Sequence, residues 1–117
     1  MMEEKIIIQK LKTQANSLAL AEKYYSLLSA FNSLGMTERE IQFIASVAVN
    51  GKVTQEMKKE FCKMYNTSEA TIGNIISKMK KKKIIIKKEN DTKINPVISP
   101  DFNKNIIMEI KLLHEKG

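Results

Sequence analysis

The chain has 117 residues, a 43% hydrophobic fraction and one cysteine, Cys62. That length suits a single domain with one core, no apolar run approaches the ~18 residues a membrane helix needs, and a lone cysteine excludes an internal disulfide and fits a reducing, cytoplasmic compartment. The formal net charge of +7 is uneven, because residues 71–93 carry eight lysines against only Glu89 and Asp91. Charge concentrated in this way implies a polyanionic partner more strongly than a diffuse excess does, although a lysine run also serves simply to solvate a surface. Arg39 is the only arginine among twenty basic residues. Lysine grips phosphate as a mobile point charge, whereas arginine reads guanine edges with two hydrogen bonds. The balance therefore predicts backbone affinity rather than sharp base readout.

The N-terminal MMEEKIIIQKLK is charged on both sides of its apolar triplet, unlike a signal peptide. Within it, residues 4–9 read as a short strand. Residues 11–34 place Leu11, Ala15, Leu18, Ala21, Tyr25, Leu28 and Phe31 at three- and four-residue steps, which predicts a long amphipathic helix stopped by Gly35. Leu20, Tyr24 and Leu27 widen its apolar face, enough to touch two neighbours, one of them a second copy of the chain. Thr37 and Glu40 form a T-x-x-E capping box ahead of a helix that Asn50-Gly51 ends. A shorter helix capped by Thr54 follows, with Met57, Phe61 and Met64 or Tyr65 inward.

A third helix is expected to start near Ser68. Ile72, Ile75, Ile76 and Met79 recur at i, i+3, i+4, i+7 and define its inner stripe. The opposite arc holds Ala70, Gly73, Asn74, Ser77 and Lys81, with Thr71 and Lys78 at its edge. Small residues there let a helix approach a groove closely, and the trailing lysines suit flanking phosphates or simply complement the helix C-terminus. Ile84 to Lys88 then reads as a strand, ENDT as a turn and KINPVI as a returning strand, with Pro96 restricting it to an edge. Near the C-terminus both periodicities fit NIIMEIKLLHEKG. The alternation in MEIKL and the lack of a cap favour a strand, one able to pair with KIIIQ within a chain or between two.

Helix, short helix, turn, helix, hairpin is the order of a winged helix-turn-helix, a mainly α fold with a small β component. The passage TSEATIGNIISKMKKKKIIIKK also resembles the recognition-helix-to-wing segment of multiple-antibiotic-resistance-regulator-type repressors and plasmid replication winged helices. The resemblance covers roughly residues 37–98, with residues 1–36 packing on that domain or a dimer partner and residues 99–117 as an extension. MTEREIQFI is similar to the opening of quorum-sensing regulator domains, but those end in a fourth helix rather than a hairpin. The winged resemblance implies a transcriptional regulator or replication factor whose recognition helix spans residues 68–82. Ser68, Thr71, Gly73, Asn74, Ser77, Lys78, Lys81 and Lys82 would then meet duplex DNA, with Lys87, Lys88 and Lys93 in the wing. Asn74 would read adenine, and Ser68 would double as a cap. Two positions depart from the family. Lysine stands at 83 where glycine is usual, which demands a left-handed lysine or a different helix end. The wing tip carries Glu89 and Asp91, where a minor-groove wing would want arginine.

Cys62 and His114 are each alone or distant from other ligands, and no zinc spacing, glycine-rich phosphate loop or nucleophile motif is present. The sequence therefore predicts a non-catalytic protein with no metal, cofactor, small-molecule ligand or membrane, and a possible homodimer. The alternative is a protein-interaction or assembly module on the same fold, since fold does not fix function.

Overall fold

The computed structural model describes residues 2–11, 17–102, 104 and 106–115, the two terminal strands by their backbone alone. In chain order the elements are β1 (Met2–Leu11), α1 (Ser17–Phe31), α2 (Glu38–Asn50), α3 (Gln55–Tyr65), α4 (Glu69–Lys81), β2 (Ile85–Lys88), β3 (Asp91–Ile94), a 3-10 turn (Pro96–Ile98) and β4 (Ile106–Glu115). Four helices with a small antiparallel hairpin make a mainly helical layout that is compatible with a winged helix.

The expected long helix over residues 11–34 is replaced by a shorter one. Leu11 belongs to β1, Ala15 lies outside the described residues, and α1 has 15 residues. Nor does Gly35 stop it. Ser33 turns left-handed at φ 52°, and the Leu34 N–H reaches back to the Ser29 carbonyl at 3.0 Å, closing the helix two residues earlier.

Inward stripes from all four helices meet in one core. Leu20, Tyr25, Phe43, Ile44, Val47, Ile72 and Met79 are almost wholly buried, and Phe61 and Ile85 join them. Phe43 meets the Phe61 ring edge-on, with centroids 5.2 Å apart, a favourable aromatic geometry. Tyr24, Tyr25 and Phe102 form a second aromatic group that brings the chain after the hairpin onto α1. The buried Tyr25 hydroxyl is satisfied by donating to the Ile98 carbonyl at 2.7 Å. Burial, aided by neighbouring Tyr24, holds its pKa well above the ordinary phenol value. Of the two candidates at the end of α3, Tyr65 turns inward, stacking near Phe61, while Met64 is 67% exposed.

Local caps set the helix starts. Thr37 accepts the Glu40 N–H at 3.2 Å while the Glu40 carboxylate accepts the Thr37 N–H at 2.8 Å, the reciprocal pair that T-x-x-E encodes. Thr54 and Ser68 each accept one N–H at the starts of α3 and α4.

The end of α4 is the point where the sequence lacks its glycine. Lys83 adopts φ 60°, its N–H bonds to the Lys80 carbonyl at 3.0 Å, and the Ile84 N–H bonds to the Met79 carbonyl at 3.0 Å. This is a Schellman end, with Ile84 and Met79 both buried as its hydrophobic contact. A lysine in that conformation costs roughly 1–2 kcal/mol, and burial of Ile84 and Met79 sustains it. Lys83→Gly is expected to raise unfolding free energy by about 0.5–1 kcal/mol, after glycine's own chain entropy is deducted, as urea denaturation would show.

The hairpin differs in register from the ENDT reading. Its turn is Glu89-Asn90, both with positive φ (54° and 70°), as a two-residue type I′ turn requires. Asp91 and Thr92 are already paired in β3, opposite Lys88 and Lys87. The returning strand stops at Ile94, because Asn95 caps the 3-10 turn that Pro96 opens. β1 and β4 pair antiparallel over ten residues, from Met2↔Glu115 to Leu11↔Ile106. No helix among the described residues is long and apolar enough to cross a membrane.

Candidate nucleic-acid interface

The exposed face of α4 is made of small and polar side chains. Ala70, Gly73, Asn74 and Ser77 are all exposed, while Ile72, Ile75 and Met79 hold the opposite side in the core. A Cβ built on Gly73 meets nothing within 4 Å, so no packing contact among the described residues requires glycine there. Glycine in a helix interior nevertheless costs about 1 kcal/mol relative to alanine.

Several predicted site residues are engaged internally. The Ser68 hydroxyl accepts the Thr71 N–H at 3.2 Å and lies 3.1 Å from the Thr71 hydroxyl, so both serve the helix start. Lys78 donates to the Glu40 carboxylate at 3.0 Å and ties α4 to the capping box of α2. The Lys82 ammonium turns back to the Leu34 carbonyl. Lys80, Lys81 and Lys83 are exposed beside them. Sequence periodicity had no means of finding the Lys78 pair, since its partner lies 38 positions away.

Glu40 is the one buried acid of the described core, its side chain 8% exposed. Burial pushes its pKa up, but the Thr37 N–H and the Lys78 ammonium outweigh that and hold it below the ordinary glutamate value. A lowered folded-state pKa contributes stability at pH above the unfolded value, lost as pH falls through the folded one. Glu40→Gln keeps a capping amide but removes the ion pair. It is expected to cost about 1 kcal/mol at pH 7 and to flatten the acid side of the stability curve, measurable by thermal melts from neutral to acid pH.

The hairpin presents its lysines on two faces. Lys93 pairs with Ile86 and Lys88 with Asp91 on one face, whereas Lys87 pairs with Thr92 on the face that carries buried Ile85 and Ile94. The three wing lysines therefore do not form one row. Asp91 is also held by Lys52 at 3.5 Å, which draws acid at the wing tip toward the α2–α3 loop. That loop is fastened to the hairpin edge by the Val53 N–H, which donates to the Thr92 carbonyl at 2.7 Å.

Asn95 joins hairpin and helix. Its N–H donates to the Ile84 carbonyl at 2.8 Å, its side-chain amide donates to the Lys83 carbonyl at 3.0 Å, and its Oδ1 accepts the Val97 N–H at 3.1 Å. Expected within a returning strand, this residue could have been found by its Asn-Pro pair, a common turn opener. Among the described residues no group of three or more His, Cys, Asp or Glu side chains could hold a metal.

The chain matches no family model, no curated protein and no solved structure. The reading of this surface therefore rests on its own chemistry.

Proposed function

We propose that the protein is a winged helix-turn-helix DNA-binding protein, a small regulator or replication-associated factor in which α4 enters the major groove and the hairpin grips flanking phosphates. The observation that carries the reading is the exposed Gly73–Asn74–Ser77 face, followed along the chain by exposed lysines at the end of α4 and in the hairpin. A helix front without bulk suits close approach to base edges, and the lysines that follow it suit the backbone. Gly73 supports the same conclusion, because its cost to the helix has no return within the fold.

Fluorescence anisotropy with duplex DNA, titrated with salt, tests the proposal. Binding should weaken steeply as salt rises, in proportion to the phosphates contacted. Absent or salt-insensitive binding at about 50–100 mM salt would overturn it and leave the protein-assembly reading. Gly73→Ala separates fold from function. It should stabilise the helix by up to about 1 kcal/mol while weakening DNA binding, a pairing of effects that a solvated face would not give.

A further inference from the structure

Among the described residues the β1–β4 ribbon is a sheet of only two strands, ten residues each, and its register runs without a bulge. Two-stranded ribbons are marginal in water, and three or more strands are normally needed for independent stability. Proteins guard exposed edges with proline, bulges or repeated lysine. β4 contains no proline or glycine and a single lysine, Lys111.

The order of residues along β4 supplies the missing partner. An antiparallel pairing of β4 with itself, centred on Ile110, sets Glu109 opposite Lys111 twice. It also sets Met108 opposite Leu112 and Ile107 opposite Leu113. Every position from 107 to 113 thus meets its own kind, apolar to apolar or acid to base, and cross-strand pairs of these types are stabilising. The same operation on β1, centred on Ile7, pairs Glu4 with Lys10 and Ile6 with Ile8 but sets Lys5 opposite Gln9, so over the same span its match is incomplete. We propose that the outer edge of β4 is a dimer interface that pairs with β4 of a second copy, giving a four-stranded sheet in the order β1-β4-β4-β1. The interface is isologous, as a two-fold axis through Ile110 demands. It is independent of the DNA-binding reading.

Charge reversal on the full chain tests the interface, with sedimentation velocity reporting the dimer. The wild type should dimerise below about 100 μM. Lys111→Glu and Glu109→Lys should each raise the dimer Kd about tenfold or more, since each converts two acid–base pairs to like-charge pairs. The double variant restores opposite charge and should return Kd to near the wild-type value. A second measurement stands if the charge variants fail to fold. In a Cys62→Ser background, Ile110→Cys should form an inter-chain disulfide on oxidation, because paired Cα atoms lie within the ~7 Å a disulfide spans. Ile106→Cys should not, its two copies being about 27 Å apart along the ladder. A monomer throughout, indifference to the reversals, no rescue in the double variant, or equal cross-linking at both positions would each overturn the proposal.

Discussion

Lys81, Lys87 and Lys88, changed together to glutamine, are expected to lower affinity for duplex DNA about a hundredfold to a thousandfold near 100 mM salt. Each neutralised phosphate contact removes close to one unit from the dependence of log K on log salt, so the slope should shallow by about three. All three side chains are exposed, and surface substitutions of this kind usually change stability by no more than about 0.5 kcal/mol. The loss should therefore appear in binding and not in melting. The loss should also be uniform across sequences, whereas Asn74→Ala should alter only the preference among them. Lys78→Gln provides the contrast. Its ammonium is held by Glu40 at 3.0 Å, so its removal should cost about 1 kcal/mol of stability and less binding than an equally exposed lysine. Anisotropy at several salt concentrations, paired with urea denaturation, separates these outcomes.

Phe43→Ala is expected to destabilise the fold by about 3–5 kcal/mol, the usual range for emptying a large aromatic site. Phe43 is fully buried and packs edge-on against Phe61, so α2 and α3 would both border the cavity. A domain of this size has a total stability of roughly 5–15 kcal/mol, which leaves the variant near its unfolding midpoint when warmed. Phe43→Leu should cost much less, because most of the volume remains. Calorimetry or urea denaturation of the pair measures the difference.

Helix starts were legible in the sequence because they are local. Thr37 with Glu40, Thr54 and Ser68 each act within three residues, and the structure shows each bond. The inward stripe Ile72, Ile75, Met79 was legible for the same reason, since 3.6-residue periodicity needs no partner to be seen. Helix ends were legible only in part: Asn50-Gly51 closes α2 as its sequence indicates, and Lys83 takes one of the two courses its missing glycine left open, whereas the turn at Ser33 carries no such signal. Ser33, Asn66 and Lys83 all take positive φ, and in each case the next residue's N–H closes a bond to a carbonyl five residues back. Only Asn66 has a side chain that favours this. Ser33 and Lys83 are held there by their C-terminal neighbours, and burial of Ile84 is a tertiary fact. The first helix was over-long at both ends: its apolar spacing runs on past Phe31 to Ser33, where the backbone turns, and at the other end it takes in Leu11, which belongs to β1. At the candidate site, the exposed face of α4 followed from the pattern, but the capture of Lys78 by Glu40 and of Lys82 by the Leu34 carbonyl did not. Those contacts join residues 38 and 48 positions apart, and nothing in the local spacing foretells them.

The junction at Asn95 bears on how any ligand of this surface would be bound. With Ile84, Lys83 and Val97 all fastened to one side chain and its backbone, the hairpin and α4 are set at a fixed angle before a partner arrives. The entropy of ordering that loop is spent at folding and not at association. A complex formed on it should then have a heat-capacity change no larger than its buried apolar area explains, without the excess that accompanies coupled folding. Cutting the joint with Asn95→Ala would move that ordering into the binding step, where calorimetry would see it as a more negative entropy.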